Sequence, residues 1–206
     1  MKTVTAPTRM VLLRTKKRAS LAKRGHKLLK DKLDGLIGKF LDIVKKTEAK
    51  LEELGRTLPE AFASMITAGS MMTPEEFEEA VMMPRQTAEI KIGRRNFMGV
   101  RVPVLELKLE GSPISYGLGE TPAELDSALV NFNALLPEIV ALAGNVKALE
   151  LISKEITKVK RRVNALEYVL IPELSEAIAF IKMKLAEMER SYLTSLMKIK
   201  DIVRAE

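Results

Sequence analysis

His26 is the one histidine of the chain and cysteine is absent, so no His pair, no Cys-His nucleophile and no His/Cys metal set can be assembled. His26 falls on a helical apolar stripe beside Gly25, where a small residue next to a polar one reads as a close helix contact rather than an acid–base group. Gly117-Leu118-Gly119, ahead of a helix starting at Pro122, resembles a phosphate-cradling turn. It lacks the third glycine or the following Lys-Ser/Thr that such turns need, and reads as a plain turn. The acidic run Glu75, Glu76, Glu78 and Glu79 spreads around the first two turns of a helix, where carboxylates favour the macrodipole rather than converge on a metal. The pairs Met71-Met72 and Met82-Met83 flank that helix and suit flexible packing against a partner or the coiled-coil base. No catalytic, cofactor-binding or metal-binding residue is therefore expected, and no cofactor. What exceeds an ordinary solvated surface is basic: Lys16, Lys17, Arg18, Lys23 and Arg24 near the start, and Lys158, Lys160, Arg161 and Arg162 later. These nine are the candidate partner-binding residues, facing some anionic surface.

The elements that must carry them are long helices. Apolar residues recur at Leu149, Ile152, Ile156, Val159, Val163, Leu166, Leu170, Leu174, Ala177, Ile181, Leu185, Met188, Tyr192, Ser195, Ile199 and Ile202, about 3.5 residues per step, which is the seam of a left-handed coiled coil. At about 1.5 Å per residue this seam predicts a coiled coil roughly 80 Å long. From Leu166 to Met188 the steps read as two eleven-residue repeats, which unwind a left-handed supercoil. Pro172 lies inside this stretch and should bend the helix without ending it. A matching stripe runs through Ala19, Ala22, His26, Leu29, Leu33, Leu36, Phe40, Ile43, Thr47, Leu51 and Leu54. Two heptad segments joined by an insert close most simply as an antiparallel hairpin with both termini at one end.

The spacing thus predicts a mainly α fold: a long antiparallel two-helix coiled coil with a small central insert of short helices and a β-hairpin. The expected divisions are an N-terminal helix over 1–54, the insert over 55–120 and a C-terminal helix over 121–206. In the insert, Pro59, Gly69, Pro74 and Pro84 should separate short helices, with Thr73-Pro74-Glu75-Glu76 as a capping box. Glu89–Ile92 and Val102–Leu109 read as strands on either side of Arg94–Gly99, with Pro103 marking an edge. Such a hairpin should bury at most one small face and be separable from the helices. A second capping box, Thr121-Pro122-Ala123-Glu124, should start the last helix, followed by the stripe Leu125, Leu129, Phe132, Leu136, Ile139 and Ala143, with a kink or break near Pro137 and Gly144.

Composition agrees with long helices. Hydrophobic residues at 47% argue for a folded chain, while 4% aromatic and 30% charged residues are poor for a compact enzyme core. Absence of cysteine fits a reducing compartment, and neither a signal peptide nor a stretch of about 18 apolar residues is present, so direct membrane insertion is not expected. Residues 1–32 hold 11 Lys/Arg against one Asp, residues 33–153 hold 12 against 18 acids, and residues 154–206 hold 11 against 8. Basic ends flank an acidic middle. A nucleic-acid-binding or scaffolding coiled coil would use the same ends, but no zinc-finger, homeodomain or base-stacking signature accompanies the charge. A self-contained enzyme is weaker still, for want of catalytic groups.

Specific segments narrow this. Pro7-Thr8-Arg9 with Leu12-Leu13, the run Leu21-Ala22-Lys23-Arg24-Gly25-His26-Lys27-Leu28-Leu29-Lys30-Asp31-Lys32, and Arg161-Arg162-Val163-Asn164-Ala165-Leu166-Glu167 continuing to Ile171-Pro172 resemble the D subunit of V-type and archaeal A-type ATPases. The resemblance spans nearly the whole chain, with Thr47 on the seam and a Met-rich insert as mild departures. It implies a non-catalytic central-stalk rotor shaft, peripheral at the cytoplasmic face of the membrane, coupling ATP chemistry in a head to proton or sodium translocation by a membrane ring. The partners it implies are the catalytic A and B subunits of the head, contacted by the basic residues, the F subunit, and the C subunit that links to the ring; no nucleic acid is implied.

Overall fold

The computed structural model describes residues 7–82, 84–117 and 121–205. Helix α1 spans Arg9–Ser70 and α2 Pro74–Met82, followed by strands β1 (Thr87–Phe97) and β2 (Val100–Glu110), helix α3 (Ala123–Ala165), a π-helical turn Leu166–Leu170 and helix α4 (Ile171–Ala205). No helix among the described residues is long and apolar enough to cross a membrane. The fold is mainly α with one two-stranded antiparallel sheet, and it divides into two compact units, Gly35–Ile156 and Met1–Asp34 with Thr157–Glu206.

In the unit Gly35–Ile156, α1 packs on α3 through Leu54, Ala61 and Leu135, with Leu58, Phe132 and Leu142 around them. Phe62 meets Phe132 edge-on at 5.3 Å, a favoured aromatic geometry. Ala61, Ala68, Ala128 and Ala148 are buried, and side chains this small let helix axes approach closely. The α1 stripe is as expected except at Leu51, which is exposed, and Thr47 satisfies its hydroxyl on the Ile43 carbonyl at 2.8 Å. On α3 the buried phase is Leu125, Ala128, Phe132, Leu135 and Leu142, while Leu136, Ile139 and Ala143 face solvent. Adjacent leucines at 135 and 136 satisfy the same period, and only the Ala61 surface chooses between them.

Neither Pro59 nor the Pro137–Gly144 segment breaks its helix: α1 continues through Pro59 to Ser70 and α3 through Pro137 and Gly144 to Ala165. A proline removes one helical hydrogen bond, which a packed helix tolerates when the flanking apolar face stays buried. The capping box at Thr73 does form. Glu76 accepts from the Thr73 N–H at 3.0 Å and the Glu76 N–H donates to the Thr73 hydroxyl at 3.4 Å, holding the Glu76 carboxyl below its usual range through the Thr73 backbone bond first and the side-chain bond second. At Thr121 the hydroxyl turns back to the Gly117 carbonyl at 3.3 Å, and the Tyr116 hydroxyl instead ties the entry of α3 by donating to Asp126 at 2.6 Å. Burial, then Asp126, raises the Tyr116 phenol.

The strands are longer than the sequence suggests. Eleven residues pair on each side, Thr87 opposite Glu110 through to Phe97 opposite Val100, so Arg94–Phe97 belong to β1 and the turn is only Met98-Gly99. Both turn residues take positive φ, 49° and 91°, as a tight two-residue hairpin turn demands, and Asn96 accepts the Gly99 N–H at 3.0 Å. The hairpin is docked rather than free. At its tip Val100 and Val102 are buried, the Met98 thioether lies against Gly35 of α1, and Lys39 stands over the Phe97 ring; midway along it Leu105 rests on Gly144 of α3. Val100 and Val102 belong to one sheet face and Leu105 to the other, so each face buries part of itself.

In the unit Met1–Asp34 with Thr157–Glu206, Thr8 caps α1 by accepting the Val11 N–H at 3.2 Å. Arg9 meets Glu189 at 2.7 Å and His26 meets Glu167 at 3.2 Å, a descending order against an ascending one that makes the two helical segments antiparallel. Val159, Val163 and Ile181 are buried between them, with Ala19, Ala22, Leu29 and Leu33 half-buried on α1. Past Leu185 the predicted seam is exposed: Met188, Tyr192, Ser195, Ile199 and Ile202 have no cover among the described residues. α1 begins at Arg9, whose partner is Glu189, so the rest of α4 has no stretch of α1 opposite it.

Candidate functional site

The nine basic candidates all fall in the unit Met1–Asp34 with Thr157–Glu206, and all nine are exposed. Their exposure follows from the helical period. Lys16, Lys17 and Arg18 precede Ala19 and Lys23 and Arg24 lie between Ala22 and His26 on α1, while Lys158 precedes Val159 and Lys160, Arg161 and Arg162 lie between Val159 and Val163 on α3. Lys and Arg lay their carbon stems along such a seam and hold their charges in water.

The seam between these belts carries a polar pair, His26 Nε2 and Glu167 Oε2 at 3.2 Å. Because the segments are antiparallel, Lys23 and Arg24 lie to one side of this pair along the axis and Arg161 and Arg162 to the other. The bases therefore form belts at different heights. Among the described residues none of the nine has a carboxylate within ion-pair distance, whereas Arg9 is engaged by Glu189. Unneutralised charge on an exposed helical pair is suited to long-range, weak and salt-sensitive attraction of an acidic surface.

Glu167 owes its position to the π turn. The Ile171 N–H donates to the Leu166 carbonyl, five residues back, so this turn holds one residue more than an α turn. Across that extra residue Leu166 and Leu174, which read as part of an eleven-residue repeat, stay half-buried while Leu170 between them is exposed. Pro172 explains the location. Its ring would press on the carbonyl of Tyr168 and it has no N–H to offer there, and a widened turn relieves both defects.

Gly25 does not sit at a close contact as the sequence suggested: a Cβ there meets open space, and it is His26 that faces the other segment. Leu118 and Gly119 of the glycine turn and Met83 of the second methionine pair lie outside the described residues. Of the remaining methionines, Met71 and Met82 are exposed and Met72 is half-buried, so packing within the chain does not account for the first two. In the acidic run Glu76 serves the cap of α2.

Two features escaped the sequence reading. One is the apolar end of α4, Tyr192, Leu193, Leu196, Met197, Ile199, Ile202 and Val203, exposed among the described residues. The signal was available, because the C-terminal stripe runs from Leu149 to Ile202 while the N-terminal one spans only Ala19 to Leu54. The other is the exposed strand β1, whose distal half Arg94–Phe97 has the composition of a loop.

Comparison of the sequence with known proteins finds relatives. The family described as the D subunit of ATP synthase matches residues 11–201. The chain is similar to the V-type ATP synthase D subunit of Acetivibrio thermocellus, 45% identical over 201 residues covering 96% of this chain and 90% of that protein. It is likewise similar to that of a Thermoanaerobacter species, 49% identical over 199 residues (96% and 95%), and that of Clostridium botulinum, 44% identical over 202 residues (96% and 94%).

Proposed function

Because this chain belongs to the ATP synthase D-subunit family, a component of the V-type ATPase complex, we propose that it is the complex's non-catalytic central-stalk rotor shaft. ATP synthesis or hydrolysis takes place in A and B subunits of the head, the F subunit binds alongside, and the C subunit links the shaft to a membrane ring that moves protons or sodium ions. The chain itself stays peripheral, at the cytoplasmic face.

The observation that carries this reading is the belt of nine exposed, unneutralised cations on a two-helix segment. A shaft biases the states of a surrounding head only if it interacts differently with each, since a partner with equal affinity for all states shifts none. Belts at different heights on an asymmetric pair meet acidic head loops at some rotational positions and not at others. Each exposed contact contributes about 0–1 kcal/mol, weak enough that rotation is not arrested at any one partner.

The test is Arg161→Glu with Arg162→Glu in the assembled complex. Coupling of ATP turnover to ion movement should fall most at low ionic strength and recover toward wild type as salt screens the reversed charges. Normal coupling of the variant at low ionic strength removes the electrostatic part of the proposal.

A further inference from the structure

The β-hairpin has two outer edges, and they differ. β2 carries Pro103, which has no N–H and blunts its edge, whereas β1 contains no proline over its eleven residues. Long bare edges invite pairing with another chain, and proteins normally cover or interrupt them. Among the described residues no third strand covers β1.

The side chains point the same way. Residues opposite one another in the register share a face, so Ile90 and Ile92 lie on the face of Leu107 and Leu105. Leu105 and Leu107 are half-buried, Leu105 against Gly144, while Ile90 and Ile92 are 50% and 70% exposed. The apolar face thus starts over α3 and continues, uncovered, onto β1. Arg94 and Arg101 extend the face toward the tip, Lys91 stands between the two isoleucines on the opposite face, and all three are exposed. No Asp or Glu occurs between Ile90 and Leu105.

We infer that the β1 edge, Thr87–Phe97, is a docking site for an extended, acidic segment of a partner protein, which adds as a third strand. Its backbone pairs with the open N–H and C=O groups of β1. Its alternate side chains lie apolar beside Ile90 and Ile92 and acidic beside Arg94, with Arg101 one strand further on the same face, the division of labour between backbone affinity and side-chain specificity seen in strand addition. Nucleic acid fits less well, because Phe97, the aromatic ring of these strands, is half-buried and already engaged by Lys39 and by Arg95 at 5.1 Å. A lipid surface does not engage a backbone edge.

The inference concerns a different surface from the basic belts and is tested separately. Amide hydrogen exchange is compared between the isolated full chain and the chain in its assembled complex, and a photoreactive phenylalanine analogue is placed at position 92. The outward-facing alternate amides of β1 should exchange about tenfold or more slowly in the complex, with those of β2 unchanged. Position 92 should cross-link to a segment of another protein of the complex that is richer in Asp and Glu than in Lys and Arg. Arg94→Glu with Arg101→Glu should abolish most of the slowing at low ionic strength. Equal exchange in both samples overturns the inference, as does a cross-link to a second copy of this chain, to a basic or helical segment or to nucleic acid, or the same slowing produced by anionic phospholipid vesicles alone. A chain that does not co-purify with head subunits removes the shaft reading instead, and the same cross-link to whatever it does co-purify with still decides the edge.

Discussion

Of the fourteen buried apolar residues among those described, eleven lie in the unit Gly35–Ile156, and only Val159, Val163 and Ile181 lie in the unit Met1–Asp34 with Thr157–Glu206. Charge divides in the opposite sense. The first unit holds 13 Lys/Arg against 18 Asp/Glu, the second 21 against 9. Core and cation density are therefore separated along one chain. The unit with a hairpin and alanine-rich helix contacts holds itself together by burial, while the other is a thin seam clothed in like charge that gains little from folding alone. Like charge on a poorly buried pair raises its self-repulsion, and partners of opposite sign relieve it.

The sharpest way to break this contrast is to truncate one isoleucine in each unit. Ile152→Ala removes a side chain with no exposure and should cost about 2–5 kcal/mol in chemical denaturation. Ile199→Ala, on the bare end of α4, should cost less than about 0.5 kcal/mol in the isolated chain. Comparable losses at the two sites would show that the α4 end is packed after all.

Glycine substitution sharpens the comparison in the stabilising direction. Gly25→Ala places a methyl in open space within α1, and Gly144→Ala places one 3.6 Å from Leu105, an ordinary contact. Each should raise stability by up to about 1 kcal/mol through helix propensity, read as a higher denaturation midpoint. If Gly25→Ala stabilises the free chain yet weakens assembly, the surface around residue 25 is contacted by a partner.

Arg161→Glu with Arg162→Glu, which is expected to disturb coupling, should leave the isolated chain within about 0.5 kcal/mol of wild type. A large loss of stability would mean that these arginines hold the pair together rather than face a partner.

The smallest effect is at Glu150. Hydrogen bonds from Lys147 at 2.7 Å and then Lys154 at 2.5 Å hold its carboxyl at about 2, below the ordinary 4.5. A depressed folded value means that any contribution of the triad to stability is present above pH 4.5 and is lost as pH falls through about 2. Titration of this carboxyl by NMR checks the value, and Lys147→Met with Lys154→Met should return it toward 4.5.

Most of the fold was legible because coiled-coil periodicity is a local property that accumulates over many turns. The stripe from Ala19 to Leu54 and the seam through Leu185 are where the residue types placed them, Leu51 and Leu170 excepted, and the Thr73–Glu76 cap formed as its four residues dictate. The nine basic residues were legible as exposed for the same reason. By itself, then, the sequence determined the helices, the existence of a hairpin and the distribution of charge, all of which depend on neighbours within about two turns or one strand. Tertiary structure decided what sequence left degenerate. It chose Leu135 over Leu136, because Ala61 leaves room on one side only, and it carried α1 through Pro59, because burial at Leu54, Leu58 and Ala61 outweighs a missing hydrogen bond. It set the turn at Met98-Gly99, where docking on Gly35 holds a methionine at positive φ, and it left the β1 edge uncovered among the described residues, because exposure of an edge depends on where other elements stop and no local pattern records that.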